Sequence, residues 1–175
     1  MSLLPRQPVP PLAVETVAHG RWVLADCRPA HFTLIVFYRG LHCPICRPYL
    51  AELNRLLPDL AQRGVEAVAI STDELERAAQ AAREWKLDAL PLGYGLSIGE
   101  ARRWGLFIST SRGATSSGVV EPAQFAEPGL FLVRGDGTLY FSAVQSMPFA
   151  RPHIADLLPA LDFVLKNDYP ARGEA

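Results

Sequence analysis

Cysteine is scarce in this chain, and the few cysteines present do not form a disulfide framework. The 175 residues contain three of them, an odd number, whereas small domains stapled by disulfides carry a larger and even set. This composition excludes a network of structural disulfides and favours a reducing compartment. Two of the three, Cys43 and Cys46, stand at C-x-x-C spacing, which in a reducing compartment is typical of redox chemistry.

An excess of charge and a long apolar run are also lacking. Basic side chains number 17 and acidic ones 18, spread along the chain, for a net charge of -1, so no basic footprint for nucleic acid or a membrane surface is present. No segment approaches a membrane span, and prolines interrupt the first eleven residues where a secretory signal needs an apolar run. We therefore expect a cytoplasmic protein whose partners are small molecules or proteins, with no nucleic acid and no membrane.

The length predicts a single domain over residues 1–175, because 49% hydrophobic content supplies one substantial core. Within it, residues 1–12 and 168–175 are expected to be a flexible leader and tail. The first half predicts alternating strands and helices: a hairpin over 14–25, a buried strand over 32–38, a helix ending at Gly64 with a kink or break at Pro58, a strand over 66–71, and a helix to Trp85 that is capped by Thr72 or Asp73.

The second half adds the rest of a layered α/β structure. The sequence predicts a strand over 90–92, a helix over 98–104, a mobile loop over 109–118, a hairpin across the turn at 135–137, and a last helix over 152–166. This order favours a mixed central sheet with helices on both faces.

The chemistry is expected where the buried strand meets the next helix. Pro44 suits the first position of a helix, which places Cys43 at the helix N-terminus, where unpaired N–H groups and the helix dipole favour a thiolate. Cys43 is therefore the predicted nucleophile. Cys46 lies almost one turn further on, close enough to close a disulfide, and is the predicted resolving thiol.

Three cations near the motif are candidate supports for the thiolate. Arg39, His42 and Arg47 flank the cysteines in sequence and add positive charge. His42 and Arg39 also have a structural interpretation, as a cover for the helix end and as a side chain that lies along the apolar strand end. The third cysteine, Cys27, follows in a turn and is expected to be an incidental half-buried thiol.

Two motifs together resemble a known family. The stretch from Phe37 to Arg47, followed much later by Pro128-Gly-Leu-Phe-Leu-Val-Arg-Gly-Asp-Gly, resembles the thioredoxin-fold redoxins. The N-terminal hairpin, the Ser71-Thr72-Asp73 sequence and the overall length resemble more specifically their AhpC/TSA branch, the peroxiredoxin-like proteins. The resemblance implies a thioredoxin-like three-layer fold in which Pro128 is a cis-proline facing the C-x-x-C motif.

The resemblance also implies a function. It points to a thiol-disulfide oxidoreductase or peroxiredoxin-like antioxidant protein that cycles Cys43 and Cys46 between dithiol and disulfide. The substrate would be a peroxide or a disulfide, the reductant would be of the thioredoxin or glutathione type, and a homodimer is compatible with the family. No cofactor and no metal are expected.

The chain departs from the peroxiredoxin pattern at two places. The family motif Pro-x-x-x-Thr/Ser-x-x-Cys would need proline and a hydroxyl at positions where this chain has Val36 and Gly40. An arginine that the family carries near the start of the late strand is replaced by Glu127 and Pro128. The sequence therefore leaves peroxide and protein disulfide both open as substrates.

A metal-binding alternative comes from a different class of function. A dithiol with a histidine on a thioredoxin fold resembles SCO-type copper delivery proteins, but those carry C-x-x-x-C and a distant histidine. The spacing here favours the redox enzyme over copper binding or delivery. A structural zinc site would need about four ligands, and the sequence has no second C-x-x-C.

Overall fold

The computed structural model describes residues 3–175 as one mixed α/β structure. The strands are β1 Ala13–Thr16, β2 Arg21–Val23, β3 Phe32–Phe37, β4 Val65–Ile70, β5 Leu92–Tyr94, β6 Ile108–Thr110, β7 Gln124–Ala126, β8 Gly129–Arg134 and β9 Leu139–Val144. The α-helices are α1 Cys46–Gln62, α2 Leu75–Trp85, α3 Ile98–Arg103 and α4 Ile154–Asn167. A short 3-10 helix, Leu24–Asp26, follows β2.

Seven strands form the central sheet in the order β2-β1-β5-β4-β3-β8-β9. The pairs β3–β4 and β4–β5 are parallel, and β8 is antiparallel to both β3 and β9. This confirms the mixed sheet, the N-terminal hairpin and the late β8–β9 hairpin. Strands β6 and β7 pair with each other in a separate two-stranded sheet.

The central strand β3 is apolar on both sides because a layer covers each face of the sheet. All six of its residues are buried. Leu34 and Val36 pack in one cluster with Leu50 of α1, whereas Ile35 and Phe37 pack in another with residues of α3 and the loop after it. The three-layer prediction is therefore confirmed. None of the helices in residues 3–175 is long and apolar enough to cross a bilayer.

Four chain segments meet at one edge of this sheet, and the strand register explains why. The last residue of β3, Phe37, is paired with Ile70 at the end of parallel β4 and with Gly129 at the start of antiparallel β8. Gly129 in turn is paired with Val144 at the end of β9. The segments after β3, β4 and β9 and the one before β8 therefore converge.

Several boundaries differ from the sequence predictions. Helix α1 begins at Cys46 rather than Pro44, because the Cys46 N–H donates to the Cys43 carbonyl at 3.1 Å and makes a tight turn before the regular helix. The helix continues through Pro58 without a break. Helix α2 follows Glu74, with no side-chain cap, so the predicted capping by Thr72 or Asp73 is wrong.

The described parts of the leader, the tail and the polar loop contact the rest of the chain. In the leader, the Arg6 N–H donates to the Leu139 carbonyl at 2.8 Å, and Leu12 is buried. In the tail, the Tyr169 carbonyl accepts from the Tyr140 hydroxyl at 2.9 Å, and Ala171 is buried. The segment 109–118, expected to be a mobile loop, begins within β6, and Ala114 forms an isolated bridge with Val120.

Candidate active site

The two thiols lie at this convergent edge and are completely buried. Cys43 and Cys46 each have 0% of their surface exposed, and both are free thiols. The Cys43 N–H donates to the Gly40 carbonyl at 3.1 Å, so a turn that begins at Gly40, shortly after β3 ends at Phe37, delivers the first cysteine. Cys46 opens α1 and belongs to the core between that helix and the sheet.

An arginine from a distant segment contacts both sulfurs. The Nη2 atom of Arg151 lies 3.6 Å from Sγ of Cys43 and 3.2 Å from Sγ of Cys46. Its Nε donates to the Pro148 carbonyl at 2.9 Å, and its guanidinium lies 5.1 Å from the centre of the Tyr49 ring. A half-buried cation is therefore held directly against the dithiol.

Sequence reasoning missed Arg151, because no motif distinguishes it. It is a single arginine between Ala150 and Pro152 in the segment that joins β9 to α4, more than a hundred residues from the cysteines. The end of β9 lies at the edge where the β3 segment ends, and only this pairing brings the arginine to the thiols.

The electrostatic environment divides the two thiols into different protonation states. A hydrogen bond from the Cys46 thiol, with the nearby Arg151 guanidinium, lowers the pKa of Cys43 to about 6 in spite of burial. Burial and the neighbouring Cys43 raise the pKa of Cys46 well above its ordinary value. At neutral pH the favoured arrangement is a thiolate on Cys43 and a thiol on Cys46.

This difference predicts how the dithiol responds to pH. In a Cys27→Ser background, the ultraviolet absorbance of thiolate should rise with pH through a midpoint near 6 and then level off, because one thiol ionises early and the other resists ionisation. Titration of the reduced protein measures this directly. A first midpoint above about 8.5, the ordinary cysteine range, would contradict the assigned environment.

The three cations expected to support the thiolate occupy different surroundings. Arg39 is mostly buried and pairs with Glu121 at 3.2 Å and Glu127 at 3.3 Å, and its charge helps lower the pKa of Cys43. His42 is fully buried, and burial followed by the charge of Arg39 lowers its pKa to about 4, so the ring is neutral at pH 7. Arg47 is exposed at the start of α1.

The peptide bond before Pro128 is trans, as are all the others between described residues, so the predicted cis-proline is wrong. Pro128 immediately precedes β8, a position where the missing N–H leaves no ladder bond unmade and a trans bond is the ordinary form. Its carbonyl accepts from the Gln145 N–H at 3.0 Å.

Two further sequence predictions concern Cys27 and metals. Cys27 lies in the turn after the 3-10 helix, half-buried, with its thiol 3.5 Å from the Val23 carbonyl. Within residues 3–175, no group of three or more His, Cys, Asp or Glu side chains is arranged to hold a metal ion.

Comparisons with known proteins give the family. Residues 5–142 match the model of the AhpC/TSA family, whereas no curated protein matches the chain. Among solved structures, the peroxidoxin BcpB from Mycobacterium tuberculosis is similar with a TM-score of 0.71 at 18% identity, over 93% of this chain and 98% of that one.

Two more solved structures share the fold over almost the whole chain. AhpC from Enterococcus faecalis has a TM-score of 0.72 at 17% identity, over 98% of this chain and 99% of that one. An uncharacterized conserved protein from Geobacillus kaustophilus has a TM-score of 0.66 at 23% identity, over 98% and 86% of the two chains. With the thioredoxin-like sheet and the dithiol at its edge, the family match shows that this chain belongs to the AhpC/TSA family.

Proposed function

We propose that this protein is a thiol-dependent oxidoreductase that reduces hydroperoxides with the C-x-x-C dithiol. Cys43 is the nucleophile, Cys46 is the resolving thiol and Arg151 stabilises the reacting thiolate. The observation that carries the proposal is the contact of one guanidinium nitrogen with both sulfurs inside a buried site. Such a contact favours a thiolate, the form of cysteine that attacks peroxides and disulfides.

The guanidinium also has a donor that suits a peroxide oxygen. Nη1 of Arg151 is buried and, within residues 3–175, has no hydrogen-bond partner. Because an unpaired buried donor is costly, a ligand oxygen that accepts from it is favoured. The Thr or Ser hydroxyl of the peroxiredoxin motif is replaced here by Gly40, so this arginine is the group we assign to orient the peroxide.

The reaction has two steps, formation of a sulfenic acid and formation of a disulfide. The Cys43 thiolate attacks one oxygen of the hydroperoxide, the O–O bond breaks, and the departing alkoxide or hydroxide takes a proton from solvent, which leaves a sulfenic acid on Cys43. Cys46 then attacks that sulfur, an S–S bond forms, and the sulfenic oxygen leaves as water with the Cys46 proton. A dithiol reductant of the thioredoxin type, or glutathione, returns the disulfide to two thiols.

Burial favours a small hydroperoxide over a protein disulfide as the oxidising substrate. Neither sulfur has any exposed surface, and Arg151 lies against both. Attack on either substrate needs the cover over the Cys43 sulfur to open, and a small hydroperoxide needs a smaller opening than a folded protein that carries a disulfide.

Stopped-flow oxidation of the reduced protein tests the proposal. We expect hydrogen peroxide and a small alkyl hydroperoxide to oxidise the dithiol faster than an equal concentration of a model protein disulfide does. Metal content after purification under reducing conditions addresses the copper alternative in the same preparation. Faster reaction with the protein disulfide than with either peroxide would overturn the assigned substrate class.

A further inference from the structure

We propose that Asp73 is a positioning residue of this site, which acts by fixing the loop that presents Cys43. The proposal rests on the proposed function of Cys43 and deepens it. The Oδ2 atom of Asp73 accepts a hydrogen bond from the Leu41 N–H at 2.7 Å. Leu41 lies two residues before the nucleophile, inside the turn that the Cys43 N–H closes onto the Gly40 carbonyl.

Burial of the Asp73 carboxylate costs hydration free energy, so its position indicates that its hydrogen bonds matter to the structure. The residue is 1% exposed, and burial raises the pKa of its carboxyl group in spite of the Leu41 N–H and of Arg77. An aspartate shortly before a helix would ordinarily cap that helix. Helix α2 nevertheless has no side-chain cap, and the Asp73 carboxylate accepts from the cysteine loop instead. A buried carboxylate is retained where its hydrogen bonds compensate for lost hydration.

Gly40 shows how closely the loop and the carboxylate approach. A Cβ atom built on Gly40 would lie 2.7 Å from both oxygens of Asp73, and the residue has φ +129, a conformation that side-chain-bearing residues rarely adopt. The loop therefore fits against the carboxylate only because this position has no side chain.

The same loop is held from its other side by the segment that follows β6. The Thr115 hydroxyl donates to the His42 carbonyl at 2.6 Å. Arg77 joins the two supports, because its Nε donates to Asp73 Oδ1 at 3.0 Å and its Nη2 donates to the Val120 carbonyl at 3.1 Å. Residues 40–43 are thus clamped between two segments that one arginine links.

The consequence for chemistry follows from where the turn places the sulfur. The low pKa of Cys43 depends on hydrogen bonds from Cys46 and on proximity to Arg151, both of which weaken steeply with distance and misalignment. Releasing Leu41 loosens the turn that holds Cys43 against these partners. The Asp73 carboxylate therefore favours ionisation of Cys43 by holding the loop in place, although its negative charge by itself would raise the pKa of Cys43.

The position and the charge of Asp73 are expected to shift the pKa of Cys43 in opposite directions, so the direction of the measured shift distinguishes the two effects. In a Cys27→Ser background, thiolate absorbance is titrated for Asp73→Ala, for Asp73→Asn, and for Asp162→Ala, which removes an exposed carboxylate paired with Arg63. Asp73→Ala should raise the Cys43 pKa by about one unit and lower the thiolate fraction at pH 6 roughly fivefold. Asp73→Asn, which keeps an oxygen acceptor for the Leu41 N–H, and Asp162→Ala should both stay near the parent value.

Two results would overturn the proposal. If both substitutions at Asp73 lower the Cys43 pKa, the residue acts only through its charge. If Asp73→Ala lowers the thermal midpoint but leaves the Cys43 pKa unchanged, its role is structural. Should Asp73→Ala not fold, Gly40→Ala displaces the same carboxylate from the other side and is expected to raise the pKa in the same direction.

The readout separates this proposal from the proposed function. Thiolate absorbance needs no substrate, so a parent protein that ignores peroxide while its Cys43 pKa responds to Asp73→Ala would refute only the peroxidase assignment. A parent that reduces peroxide normally with an unresponsive pKa would refute only the role of Asp73.

Discussion

Replacing Cys43 by serine in the Cys27→Ser background is expected to abolish oxidation of the protein by hydrogen peroxide, leaving only the background reaction of the solution. A serine hydroxyl is not ionised at neutral pH and is a weak nucleophile without an adjacent base. The buried Cys46 is not expected to replace it, because burial, the largest cause of its raised pKa, is unchanged in this variant and disfavours a thiolate on Cys46. Stopped-flow kinetics of the reduced variant measures the effect.

Cys46→Ser is the matched variant and should behave in the opposite way. The first step is retained, but no second thiol can attack the sulfenic acid, so that species on Cys43 persists and is trapped by a dimedone-type reagent. Mass spectrometry of both variants after one equivalent of peroxide gives the result. Equal labelling of the Cys43→Ser and Cys46→Ser proteins would remove the division of roles between the thiols.

Arg151→Met should produce the second large change, an increase in the pKa of Cys43. Methionine keeps most of the apolar length of the side chain and removes the charge that contacts both sulfurs. Loss of a charge-assisted hydrogen bond costs about 1.5–3 kcal/mol, which corresponds to roughly one to two pKa units. Oxidation by peroxide at pH 6 should slow at least roughly fivefold, since the thiolate fraction falls and the donor assigned to the peroxide oxygen is lost as well.

The control for this variant is Arg55→Met, which removes an exposed arginine from the same helix that carries Cys46. Arg55 is paired only loosely with Glu52, at 3.9 Å, and its side chain is 68% exposed. Both variants lose one positive charge, so a general effect of net charge would appear in both titrations. If Arg151→Met titrates like Arg55→Met, the guanidinium does not activate the thiolate.

The local features of this fold are largely encoded in short stretches of sequence. The apolar run of β3, the Gly135-Asp136-Gly137 turn and the C-x-x-C spacing each depend on neighbouring residues, so the strand, the late hairpin and the candidate dithiol followed from them. The start of α1 could not be predicted in this way. Pro44 is compatible both with the first position of a helix and with the tight turn that joins Cys43 to Cys46 in the structure. The choice between them is made by packing.

The sequence alone determined that a dithiol follows a buried central strand of an α/β protein. Only the tertiary structure decided what surrounds it. Arg151 reaches the thiols, and Asp73 reaches the loop that presents Cys43, because strand pairing places the ends of β9 and β4 at one edge of the sheet with the end of β3. A hydrogen bond between residues 32 or more positions apart leaves no periodic signal in the sequence. The trans peptide bond before Pro128 follows the general preference of proline and not the family resemblance.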